Sequence, residues 1–303
     1  MKNKVKRNMT IILAAISAVL TFNIKSVSAE ISNNYLQDSV YTEGNPAIGE
    51  YIGNPSLEEF VAEKQALAEQ YYEAVCSGDI ELIADTREKF TALESLHTSE
   101  KNSITNSGNR YYGDPPSSYT VSLTHSTQGA YNYCGPATAY MILRKIGVTG
   151  ISQNSLAASL GTTSNGTAWY LTNGNSSSQF PMMTTLNSYQ GYKYYIPSPM
   201  GAAGANPLSE TQVKSYVMSA TSYDNAIALC GISYAYGSSH LPSYPLYEVG
   251  HWLTCIGYNN YGNNIYVDDP ASQYSSDFTS VPNKYFISSS TCTAFISPRG
   301  MIW

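Results

Sequence analysis

Charge is scarce in this sequence. Acidic and basic residues together make up 13% of its 303 residues, and the formal net charge is −6. So few cations argue against nucleic acid as the main partner. Beyond the first thirty residues no apolar run is long enough to cross a bilayer, so no membrane span is expected after that point. Cysteine is sparse as well, at five residues, Cys76, Cys134, Cys230, Cys255 and Cys292. With Cys134 set aside for chemistry and Cys76 read as an incidental thiol on a helix, three remain, an odd number that allows at most one disulfide and gives no framework. His97, His125 and His240 have no Cys or His partner at metal spacing. No metal and no cofactor is expected.

What is present begins with MKNKVKR, a basic start, followed by the apolar IILAAISAVL and by VSA ending at Ala29. This reads as a secretory signal peptide over residues 1–29, and the mature protein is expected outside the cell. Residues 30–110 hold 15 acidic and 5 basic residues, against 7 and 6 in residues 111–303. The shift marks a boundary. Ser56 and Glu59 have capping-box spacing, and Leu57, Phe60, Leu67, Tyr71 and Val75 recur at helical spacing up to Gly78. A second helix starts at Asp79. The pair reads as an acidic helical hairpin, followed by a polar linker to Arg110. Two readings of it stand side by side: a propeptide that covers a cleft and is removed, or a permanent accessory element.

Residues 111–303 carry helices first and strands later, which predicts an α+β fold. Helices are expected from Gly135 to Ile146, from Ser152 to Gly161, and after Ser209, which has Gln212 in capping-box spacing. AIALCGISYAY, HWLTCIGY, NIYVDD and KYFISSS read as strands.

The chemistry centres on QGAYNYCGPATAYMILRKIG, residues 128–147. Cys134 stands at the mouth of the predicted helix, where free N–H groups and the helix dipole stabilise a thiolate. Pro136 suits the first turn, because its missing N–H is not needed there. A small buried cysteine that merely precedes a helix is the plain alternative. Acyl transfer would also need a base, an orienting group and oxyanion donors. His251 opens a strand after Gly250 and can project at the sheet edge. Asp268 and Asp269 end the next strand, and a turn at about Asn259 to Asn263 would set the two strands side by side. The pleat sends the two carboxylates to opposite faces, so only one can reach the imidazole. Gln128 lies six residues before Cys134, and its amide could join the Cys134 N–H in holding an oxyanion.

These residues carry a resemblance. Gln128, YNYCGPA around Cys134, GHW at His251 and DDP at Asp269 resemble the papain-like cysteine peptidases. Within them the sequence is similar to the family 39 branch, which includes bacteriocin-leader peptidase domains and secreted relatives. The resemblance spans roughly residues 117–298. It implies a papain-like fold with the cysteine on a helical part and the histidine and aspartate on an antiparallel sheet. It implies Cys134 as nucleophile, His251 as general base, Asp269 as orienting acid and Gln128 as oxyanion donor, acting on peptide or protein substrates. The hairpin lies outside that family's core, and no transporter segments follow the domain.

Aromatic residues near these segments are candidates for contact with substrate, Tyr133 and Trp252 first among them, with Tyr131 and Trp169 beside them. For Trp252, shielding of the His251–Asp269 pair and simple core packing remain open alternatives. A cell-wall amidase or transpeptidase with the same triad, and a catalytically silent binding module on the same scaffold, are the competing functions.

Overall fold

The computed structural model of the chain describes residues 57–98, 116–175 and 178–303. The expected signal peptide, Ser56 of the expected capping box and the linker near Arg110 lie outside the described residues.

The acidic segment forms two helices, α1 (Leu57–Ser77) and α2 (Ile80–Thr98). Phe60, Val61, Lys64, Leu67, Ala68, Tyr71, Ala74 and Val75 are the buried residues of α1, spaced at three and four as an amphipathic helix requires. Gly78 turns the chain with a φ of 68°.

Seven strands make one antiparallel sheet: β1 (Tyr119–Thr120), β2 (Pro197–Ser198), β3 (Ile227–Ser233), β4 (Val249–Asn259), β5 (Asn264–Asp268), β6 (Lys284–Ser288) and β7 (Gly300–Ile302). The order is β2-β7-β3-β4-β5-β6, with β1 added to β4. The β4–β5 hairpin is in register at Thr254 opposite Asp268, and Gly231 of β3 faces His251 of β4.

Helices cover both faces. On one side lie α3 (Cys134–Lys145), α4 (Gln153–Ser159) and α5 (Pro181–Gln190), whose Ile142, Leu156 and Leu186 share a core with Trp252 and Ile256 of β4. On the other lie α6 (Glu210–Ser222) and α7 (Ser289–Ile296), together with the α1–α2 hairpin. Phe60, Leu67, Tyr71 and Phe90 belong to the same buried cluster as Tyr216 of α6 and Leu229 and Leu253 of the sheet. The hairpin therefore shares the core of the sheet, and all described residues fall in one compact unit.

Local signals explain most boundaries. Reciprocal capping boxes start α4 at Ser152 and Ser155 and α6 at Ser209 and Gln212. Gly147, at a φ of 89°, closes α3. The segment KYFISSS does not stay extended to its end. The Ser288 side chain accepts from the Thr291 N–H, which turns the chain into α7. Cys292 sits on that helix.

Candidate active site

Cys134 is the first residue of α3 and is 8% exposed. Its position follows from its neighbours. Pro136 occupies the first turn, and Ala137 donates its N–H to the Tyr133 carbonyl at 2.8 Å. Gly135 is required by space. A Cβ there would stand 2.3 Å from Thr167 Oγ1, so only glycine lets the Thr167 loop close on the helix start. Thr167 in turn accepts the indole N–H of Trp252 through its carbonyl, at 3.0 Å.

His251 lies on β4, one residue after its exposed second position, and is 3% exposed. Its Nε2 stands 2.9 Å from Asp269 Oδ1, which leaves Nδ1 as the nitrogen for the hydrogen bond it shares with the Cys134 sulfur. Backbone N–H groups of Trp252 and Gly135 also point at that sulfur. Asp269 follows directly on β5 and is fully buried, with four partners. Oδ1 takes His251 and the Ala271 N–H at 2.9 Å, and Oδ2 accepts the hydroxyls of Tyr244 at 2.9 Å and Tyr285 at 2.7 Å.

The electrostatics follow from these contacts. Burial alone would raise the Cys134 thiol, but the hydrogen bond and charge of His251, with the two backbone N–H groups, bring it below its ordinary value. Burial likewise opposes a charged imidazole, yet Asp269 and the sulfur raise His251 to about 10. Burial opposes the Asp269 carboxylate too, and His251, Tyr285 and the Ala271 N–H overcome it. The arrangement favours a thiolate beside an imidazolium. The other buried thiols show the contrast: burial pushes Cys230 and Cys255 up to about 12 and Cys292 well above its usual value. All five cysteines are free.

The neighbouring carboxylate goes elsewhere. Asp268 Oδ1 stands 2.6 Å from His125 Nδ1, with Lys284 Nζ at 3.4 Å from Oδ2. Lys284 also donates to the Leu123 carbonyl at 3.0 Å. This second, part-buried pair ties the loop leading to the cysteine onto the sheet. Spacing alone left His125 among the scattered histidines, because its partner is 143 residues away.

Gln128 is buried in the loop before α3, and its own N–H donates to the Pro270 carbonyl at 2.8 Å. Its side-chain amide donates to the carbonyls of Ala130 at 2.9 Å and Tyr131 at 3.1 Å, and its Oε1 has no hydrogen-bond partner. In this resting geometry both amide hydrogens shape the loop. Trp252, at 1% exposure, packs 6.2 Å from the Trp169 ring between the sheet and the helices, so it has no surface left for a substrate. Tyr133 is half-buried beside Cys134, and Tyr131 is exposed with its hydroxyl on the Ser164 carbonyl. No cluster of His, Cys, Asp and Glu suited to a metal occurs among the described residues, and no described helix is long and apolar enough to cross a membrane.

An antiparallel sheet bearing the histidine, packed on a helix that opens with the cysteine, is a papain-like α+β fold. The family model described as "Peptidase_C39 like family" matches residues 116–290, and the chain belongs to that family of peptidases. None of the curated proteins matches it.

Proposed function

We propose that this protein is a secreted cysteine peptidase that cleaves peptide bonds through a covalent thioester. The observation that carries the reading is the continuous hydrogen-bonded line from the Cys134 sulfur through His251 to the buried Asp269 carboxylate. Cys134 is the nucleophile, attacking the amide carbonyl as a thiolate. His251 passes its proton to the leaving amine, and the amide C–N bond breaks to leave a thioester. The neutral imidazole then takes a proton from water, whose oxygen displaces the sulfur and restores the ion pair. Asp269 keeps the ring oriented.

The developing oxyanion lies at the start of α3, where first-turn N–H groups have no intrahelical acceptor. Gln128 is the second donor. It exchanges its longer bond, to the Tyr131 carbonyl, for one to the charged oxygen, and charge-assisted bonds are the stronger kind. Export follows from the N-terminal MKNKVKR–IILAAISAVL–VSA pattern.

The test compares fluorogenic peptide hydrolysis by wild type and Cys134→Ala, with iodoacetamide labelling read by mass spectrometry. Hydrolysis should vanish in the variant, and Cys134 should be labelled first at mildly acidic pH. Equal labelling of all five cysteines would exclude an activated thiol.

A further inference from the structure

Residues 111–303 hold only six Lys and Arg residues: Arg144, Lys145, Lys193, Lys214, Lys284 and Arg299. Lys145, Lys214 and Lys284 have carboxylate partners. Arg299 differs from these three. It is half-buried, no carboxylate among the described residues pairs with it, and its contact is the Cys230 sulfur, 3.9 Å from Nη1. A thiol pushed up to about 12 by burial stays neutral and offers the guanidinium little. A planar cation with five donors, held in place but not neutralised by a carboxylate, can receive one.

Its location ties it to the reaction. The guanidinium nitrogens lie 3.3 and 3.4 Å from where a Cβ on Gly250 would be, and Gly250 is the exposed residue immediately before His251. Glycine at that position therefore leaves room for the Arg299 head group. Cys230 is the cross-strand partner of Trp252 and lies within electrostatic reach of the Cys134 sulfur. The Trp252 N–H points away from β3 toward that sulfur, past the end of β5. Backbone groups two residues apart in a strand share an edge, so the N–H and C=O of Gly250 face the same side. An extended peptide reaching Cys134 can pair with that open edge, and a side chain beside Gly250 then meets Arg299.

We propose that Arg299 is a specificity-determining residue that receives the carboxylate of a Glu or Asp side chain on the acyl side of the scissile bond. The proposal rests on the reading of Cys134 as nucleophile. Glu248, exposed and two positions before Gly250, makes no ion pair with Arg299 among the described residues.

The test uses the full chain and acetyl-tripeptide chloromethyl ketones, with Glu, Gln or Lys placed in turn at each of the three positions. The rate of labelling at Cys134 is followed by mass spectrometry. Wild type should prefer Glu over Gln by roughly tenfold or more at one position, as a charge-assisted bidentate pair implies. Arg299→Gln should remove that ratio, and Arg299→Lys should keep part of it. Arg299→Glu should turn it toward Lys, an inversion that a merely structural role would not produce. Each ratio is internal to one protein, so a loss of total stability does not imitate it. Cys134 labelling with equal rates for Glu and Gln in wild type overturns the proposal while leaving the peptidase reading intact. Labelling of exposed Cys76 ahead of Cys134 with every probe sinks both.

Discussion

Asp269 sets the protonation states around it. A carboxylate with four hydrogen bonds and no exposure is held below its ordinary range, and it raises His251 to about 10, which in turn lowers Cys134. The direction of the pH response follows. In the folded protein the histidine holds its proton up to about 10, against 6.5 for a free side chain. Its contribution to stability is full below the free value and is lost as pH rises through 10. The lowered carboxylate acts oppositely, contributing above its ordinary 3.8 and losing that contribution on acidification. For reactivity, iodoacetamide labelling of Cys134 should reach its half-maximum below the ordinary thiol value of 9.0. Asp269→Asn should move that midpoint upward and lower kcat on the order of a thousandfold or more, because the ring loses both its orientation and its counter-charge. An unchanged midpoint in the variant would show that the carboxylate does not govern the sulfur. Sequence order brought Cys134, His251 and Asp269 to notice, because each stands at the end of an element with a recognisable signal. Tyr244 and Tyr285 gave none. They are two among 27 tyrosines, and only the folded sheet directs their hydroxyls at one oxygen.

At the scale of elements, legibility depended on whether the deciding interactions were local. Capping at Ser209 and the β4–β5 turn are set by residues a few positions apart, and both were readable. The two-residue strands β1 and β2 have no pattern of their own and exist because β4 and β7 offer edges to them. Helix α5, headed by Pro181 and closed by Gly191, went unread although its punctuation is regular, with apolar residues too few to stand out as periodic. The element that matters most is the start of α3, and Gly135 is its sensitive point. Gly135→Ala places a methyl against Thr167, whose hydroxyl bonds Thr162 at 2.7 Å and whose carbonyl holds Trp252. Since neither side yields freely, the substitution should destabilise by about 1–3 kcal/mol in urea denaturation. It should also slow Cys134 alkylation as the helix start shifts. Full stability with full alkylation would mean that the Thr167 loop moves aside at no cost.

For the whole molecule the open question is the acidic hairpin. The sequence left removal and permanence side by side, because charge composition says nothing about which surface an element buries. Its contacts favour permanence. Lys64 of α1 is 2% exposed and donates to the main-chain oxygens of Tyr194 at 2.8 Å and Trp303 at 2.9 Å. Its ammonium also lies over the Tyr194 ring at 3.7 Å. Glu69 accepts the Tyr216 hydroxyl at 2.9 Å, and Phe90 meets Tyr223 at 5.6 Å. These partners belong to α6 and its end, to the chain before β2 and to the residue after β7; Tyr216 and Trp303 lie in the core opposite the one that contains Cys134, while Tyr194 lies in the same core as Cys134. We therefore propose that residues 57–98 remain in the active protein as a buttress for the sheet. Lys64→Met leaves the Tyr194 carbonyl without its donor and the Trp303 oxygen with the Ile196 N–H alone, and should cost about 1–3 kcal/mol of unfolding free energy. Deleting residues 30–110 while keeping residues 1–29 goes further. It strips Tyr216, Leu229 and Leu253 of their cover, and an exposed apolar face of that kind drives aggregation. The deleted chain should fail to accumulate as folded protein, and secreted active wild type should retain the hairpin by N-terminal sequencing. A folded, catalytically competent deletion product would instead make the hairpin a removable prosegment, and the core it shares with the sheet dispensable.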